Sequence, residues 1–240
     1  TLRKLLKKTS RVNQKNYILV NTAFSDGNHH IPRQVLYKEN QENFRGDTDY
    51  KFRLLDEYSE DVKKMGYFCE MLSHVMRSNP DKTFVLRPHP TEAMEFYENA
   101  FHEFDNILIS KDFSAVEWIL GCSLLIQNGC TTSVEAFFLQ KPVISYYPFS
   151  SSQGVDVTRG IGVLCKTPEE VNAQIINKTF DEEISLNKEE LLSVVSNFAS
   201  NDSTIDLMAE VALSNLESKE KNDIPLTKIK YILFKKFIID

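Results

Sequence analysis

The stretch from residue 106 to 147, NILISKDFSAVEWILGCSLLIQNGCTTSVEAFFLQKPVISYY, decides the fold. Short apolar runs alternate in it with segments of helical period. Residues 106–109, 123–127 and 142–146 read as strands, and 114–120 and 131–139 as helices. Such alternation predicts βαβ units and therefore a parallel sheet with helices on both faces. Upstream, 17–20 and 83–86 are further strand signals, and 91–104 is a helix. Between 55 and 77 the apolar residues Val62, Met65, Phe68, Cys69, Leu72, Val75 and Met76 recur at three and four, and Asn79-Pro80 ends the pattern. That is a long amphipathic helix. Residues 31–50 show neither period and contain Pro32 and Gly46, so they read as a long loop. Downstream, a loop over 147–162 leads to Val163-Leu164, after which Pro168 opens a helix with Glu169 and Glu170 in its first turn.

In open parallel sheets, ligands bind beyond the carboxyl ends of the strands. The segments that follow the strands are 21–28, 87–90, 128–132 and 147–152, and they hold most of the chemistry-capable residues of this region. Arg87-Pro88-His89-Pro90 brackets a histidine with two prolines, each of which restricts the backbone. A rigid His89 can donate to a phosphate oxygen, and Arg87 adds a permanent charge and a planar fork. The plainer role is a strand terminator whose histidine caps a neighbouring loop. Asn128-Gly129-Cys130-Thr131-Thr132-Ser133 joins a strand to a helix. Gly129 permits a tight turn, and the hydroxyls fall where they can satisfy free N–H groups of the helix start, a natural anion site. Simple capping is the alternative. Glu135, a turn further on, either faces a cleft and accepts from a ribose diol or faces water and complements the helix dipole.

Other patterns are weaker. Asp47-Thr48-Asp49 has the D-x-D form of a metal-holding pair but follows no hydrophobic strand, so it reads as polar loop. Ser25-Asp26-Gly27-Asn28 is a turn signal, with Asp26 a lesser candidate for general base. His29-His30 has no partners at metal spacing. Gly160-Ile161-Gly162 lacks the third glycine and helix of a dinucleotide fingerprint. The tail over 228–239 mixes basic and apolar residues, suited to packing on another domain or to resting on an anionic membrane surface.

The 240 residues carry 42% hydrophobic and 26% charged side chains and a formal charge of −6, which disfavours a general nucleic-acid binder. No apolar run is long enough to span a bilayer, and no signal-peptide pattern opens the chain. Cys69, Cys122, Cys130 and Cys165 never form C-x-x-C and read as small buried residues of a reducing, cytoplasmic compartment. Thr1 opens a basic stretch that reads as the cut end of a longer protein. The expected organisation is a linker over 1–16 left from an N-terminal domain, a Rossmann-like domain over 17–180, and a helical C-terminal extension over 181–240.

Val85-Leu86-Arg87-Pro88-His89-Pro90, the segment from Asn128 to Ala136, and Lys141-Pro142-Val143-Ile144-Ser145-Tyr146 together resemble the surface carbohydrate biosynthesis family. Ile18-Leu19-Val20-Asn21-Thr22 and Trp118-Ile119-Leu120 fit it too, so the resemblance covers roughly 17–165. It implies the C-terminal, donor-binding half of a two-Rossmann-domain (GT-B type) glycosyltransferase that needs no metal and no cofactor. The implied donor is a nucleotide sugar, CMP-activated acidic sugars among them, and the acceptor a polysaccharide or lipid-linked chain. By the same resemblance His89 contacts the nucleotide phosphate as the catalytic residue, Thr131 and Thr132 hold the phosphate, and Glu135 binds ribose. The catalytic base is expected from the other domain, and contact with the inner membrane would be peripheral. A sugar-nucleotide epimerase of related fold, a phosphopolyol transferase, and a non-catalytic nucleotide-sugar-binding or scaffold module are the competing readings.

Overall fold

The structure, a computed structural model, describes residues 15–31, 48–149, 158 and 161–178. Six strands form one sheet: β1 (Ile18–Asn21), β2 (Phe84–Arg87), β3 (Ile107–Ile109), β4 (Leu124–Gln127), β5 (Val143–Tyr146) and β6 (Val163–Cys165). Their order is β3-β2-β1-β4-β5-β6, and every pairing is parallel. This is the doubly wound, Rossmann-like arrangement, with the chain reversing direction across the sheet between β1 and β4. The helices are α1 (Thr48–Ser78), α2 (Met94–Ala100), α3 (Ala115–Gly121), α4 (Thr132–Phe138) and α5 (Pro168–Asn177).

Side chains alternate along a strand, so each strand feeds two cores. Ile18, Val20, Phe84, Leu86, Leu124, Ile126, Ile144 and Tyr146 pack in one cluster with Met65, Phe68, Leu72, Val75 and Met76 of α1, Tyr97 of α2, and Val171 and Ile175 of α5. Leu19, Val85, Leu125 and Val143 face the other way, onto Ala115, Trp118, Ile119 and Leu120 of α3 and Ala136 of α4. Burial on both faces explains why the strands read as continuous apolar runs.

Two expectations change. The helix expected over 55–77 begins at Thr48, so residues 48–50 are helical rather than the end of a loop. The helix expected over 91–104 is α2 alone, because residues 89–92 form a turn that points Glu92 inward and Phe101 already has non-helical backbone angles. Gly162 serves packing: its φ is +78°, and a Cβ there would lie 2.0 Å from the Val143 carbonyl oxygen. Pro168 does open α5, with Thr167 and Glu170 forming a reciprocal cap. Residues 1–14, most of the 31–50 loop including Asp47, Gly160, the extension over 181–240 and the tail over 228–239 lie outside the described residues.

Candidate functional site

The last residues of the central strands fall in one row. Asn21 of β1 is in register with Arg87 of β2 and with Gln127 of β4, and Gln127 is in register with Ser145 of β5. Counting by two from Leu19, Val85, Leu125 and Val143 puts all four side chains on the α3–α4 face. A polar row thus replaces the apolar layers at the carboxyl rim, across the point where the chain reverses.

Gln127 and Ser145 are fully buried and spent on structure. Gln127 Oε1 accepts the N–H groups of Gly129 and Cys130 at 2.5 and 2.7 Å, and its Nε2 donates to Ser145 Oγ at 2.6 Å. Ser145 Oγ donates to the Ile161 carbonyl at 2.8 Å. The turn so held puts Gly129 at φ +110°, open to glycine at little cost. The hydroxyl-rich segment therefore differs from the capping expectation. Thr131 occupies the N-cap position with helical angles and no side-chain cap bond. Ser133 Oγ donates to the Cys130 carbonyl at 3.0 Å, and Thr132 Oγ1 accepts from Asn21 Nδ2 at 2.8 Å. Gln127 holds the turn before the helix, and the helix-start N–H groups of Ser133 and Val134 donate to the Cys130 and Thr131 carbonyls, each at 3.0 Å. Thr131 is exposed, whereas Thr132 and Ser133 are buried.

Among the described residues, Asn21 Oδ1 and Arg87 Nε are buried at this rim with no hydrogen-bond partner. Arg87 is half-buried, and its NH2 group donates to the Phe113 carbonyl at a long 3.5 Å. Burial pulls its pKa below the usual range, and the nearby Cys130 and Glu135 oppose that pull. Arginine stays charged regardless. Arg87 is within electrostatic range of Cys130 and Glu135, which flank the helix start after β4. Glu135 of α4 is half-buried.

His89 is bonded inside its own turn. Its Nδ1 faces Thr91 Oγ1 at 2.8 Å and accepts from the Thr91 N–H at 3.4 Å. A backbone N–H can only donate, so Nδ1 is the acceptor and the neutral ring keeps its proton on Nε2. Asn128 Oδ1 accepts the Ala23 N–H at 2.9 Å and so ties the loops after β1 and β4. Phe24, Phe68, Tyr146, Tyr147, Pro148 and Phe149 line a cleft of about 240 Å³, counting space open to solvent, beside Asn128 and Lys64.

Asp26 lies in a turn, as its surroundings in the sequence suggest: Asp61 Oδ2 accepts the N–H groups of Asp26 and Gly27 at 3.1 and 2.7 Å. His29 and His30 stack at 4.7 Å, and His29 Nδ1 accepts the Ile31 N–H at 3.0 Å. The four cysteines are free thiols. Among the described residues, no three His, Cys, Asp or Glu side chains gather as metal ligands, and no helix is long and apolar enough to cross a membrane. Sequence reasoning missed Asn21, Glu92 and Gln127 as site-forming residues. Their signal was only polarity at a strand end or just beyond one.

No family model and no curated protein matches the chain. Among solved structures it is similar to the wall teichoic acid polymerase TagF, at 12% identity and TM-score 0.44, over 92% of this chain and 48% of that one. It is similar to the Escherichia coli heptosyltransferase WaaC with ADP-2-deoxy-2-fluoro heptose, at 12% identity and TM-score 0.42, over 76% and 48%. It is also similar to the Methanocaldococcus jannaschii UDP-GlcNAc 2-epimerase in complex with UDP-GlcNAc and UDP, at 13% identity and TM-score 0.41, over 72% and 41%. The chain spans less than half the length of each. The reading of the site therefore stands on the chain's own residues.

Proposed function

We propose that this chain is the donor-binding half of a metal-independent glycosyltransferase that builds surface polysaccharide from a nucleotide sugar. The observation that carries the reading is Arg87: a charged fork at the rim where the chain reverses, with Nε buried and unbonded among the described residues. A phosphate oxygen would satisfy that donor and offset the cost of burying it. His89 would add its Nε2–H to the leaving phosphate, Thr131 its exposed hydroxyl, and Glu135 would accept from the ribose diol. In transfer, the acceptor hydroxyl oxygen bonds to the anomeric carbon as the bond from that carbon to the phosphate oxygen breaks. Arg87 and His89 stabilise the charge left on the phosphate, a preorganised electrostatic role. A CMP-activated acidic sugar is the donor we favour, and the base that takes the acceptor proton is assigned to the other domain.

The test is a binding screen of CMP, UDP and GDP on the complete protein by calorimetry, followed by donor turnover with the nucleotide that binds. A charge-assisted hydrogen bond is worth about 1.5–3 kcal/mol, so His89→Ala should slow transfer by about ten- to a hundredfold. Unchanged transfer would remove His89 from the mechanism. Turnover of donor without acceptor would indicate an epimerase, and no nucleotide binding at all a scaffold.

A further inference from the structure

The geometry points to Glu92 as the positioning residue that locks the His89 turn to the loop leaving β1, an inference that rests on the site reading above. Glu92 is completely buried. Its Oε2 accepts from Thr22 Oγ1 at 2.8 Å and from the Tyr97 hydroxyl at 2.5 Å. Its Oε1 accepts the backbone N–H groups of Phe24 at 2.9 Å and His89 at 3.3 Å. Four donors fill the lone-pair sites that a carboxylate presents. They arrive from three segments that share no secondary structure: the loop after β1, the turn after β2, and α2.

The main chain of Glu92 is equally committed. Its N–H donates to the His89 carbonyl at 2.9 Å, closing a turn with Pro90 at the second position, where a fixed φ suits it. Its carbonyl accepts from Lys111 Nζ, which also reaches the Pro90 carbonyl at 3.0 Å. On the other side His30 N–H donates to the Thr91 carbonyl, and Ala93 N–H to the Asn28 carbonyl, each at 2.8 Å. Burying a carboxylate is costly unless it is fully hydrogen-bonded. Here the bonds are spent on joining two rim loops and on fixing the backbone of His89, the histidine assigned above to the phosphate.

The polarity of the four donors makes a graded test. The N–H groups of Phe24 and His89 cannot reverse, so the amide oxygen of Glu92→Gln would take the Oε1 place. Its amide nitrogen would then face two hydroxyls free to rotate and accept. Glu92→Asp is too short to span all three segments, and Glu92→Ala spans none.

The experiment uses the complete protein with each variant, checked for folding by circular dichroism. It reads the 15N shifts of the His89 imidazole, assigned against His89→Gln, and the affinity for CMP, UDP and GDP. In Glu92→Ala and Glu92→Asp the His89 ring should lose its single-tautomer signature, with nucleotide affinity down about tenfold or more, while Glu92→Gln stays within about threefold of the parent. An unchanged His89 spectrum in Glu92→Ala overturns the inference, as does Glu92→Gln behaving like the alanine variant. Glu92→Asp carries the same decision should the alanine variant not fold. If the parent protein binds no nucleotide, the proposed function fails while the histidine spectrum still decides Glu92.

Discussion

Asp61 on α1 holds the 25–28 turn through two backbone N–H groups, and burial raises its carboxyl to about 6. The Gly27 N–H pulls the value down, and the charge of Asp26 pushes it up. A folded value above the unfolded one means that the proton is held more tightly in the native state. The stability Asp61 contributes is therefore full below about pH 4 and lost as pH rises through about 6. Asp61→Asn keeps an oxygen for both N–H groups and cannot ionise. Urea denaturation should show the variant about as stable as the parent at pH 4, and more stable at pH 7 by about 1 kcal/mol after discounting for solvent screening. An unchanged pH slope would show that the carboxylate is solvated enough to titrate normally. Single positions were unevenly legible in the sequence. Gly129 announced its turn, since few other residues accept its φ. Glu92 did not, because an acid shortly after a proline looks like a first-turn helix carboxylate, and only its inward direction reveals its role.

Helix boundaries follow local chemistry. α3 begins at a reciprocal cap in which Ser114 Oγ accepts the Glu117 N–H at 3.3 Å while Glu117 Oε2 accepts the Ser114 N–H at 3.0 Å. Ser114→Ala removes one half of that exchange and should cost about 1 kcal/mol. Trp118, the single tryptophan, lies one turn further on and is buried, so its fluorescence in a denaturant titration reads the loss directly. A midpoint unchanged in that titration would mean that packing alone holds α3. The start of α1 shows the converse. Residues 48–50 carry no apolar period, so a helix there left no trace in the pattern, whereas the apolar stripe from Met65 to Met76 was plain. The end of α1 was legible as well. Asn79 Nδ2 donates to the Val75 carbonyl at 2.8 Å, which is what an asparagine after a last helical turn can do.

The sheet is buried from both sides at its centre and thins toward its margins. Leu19, Val20, Leu125 and Ile126 are fully buried, while Leu108 of β3 and Leu164 of β6 are 41% and 48% exposed. Native-state hydrogen exchange should therefore find the amides of β1 and β4 opening only with global unfolding, and those of β3 and β6 opening sooner. Uniform protection across all six strands would contradict this gradient. The proposed site lies at the carboxyl rim of this central, doubly covered part of the sheet.

The alternation of strands and helices, their parallel pairing and the segments that lie beyond the strand ends were all readable from residue order. Each depends on periodicity, turn residues and caps that act over a few positions. Strand order and the identity of neighbours across the rim were not readable in this way. Asn21 meets Thr132 across 111 positions, Ala23 meets Asn128 across 105, and Phe24 meets Glu92 across 68. A bond between groups so far apart leaves no local pattern, because it exists only once the packed sheet has brought the two loops together.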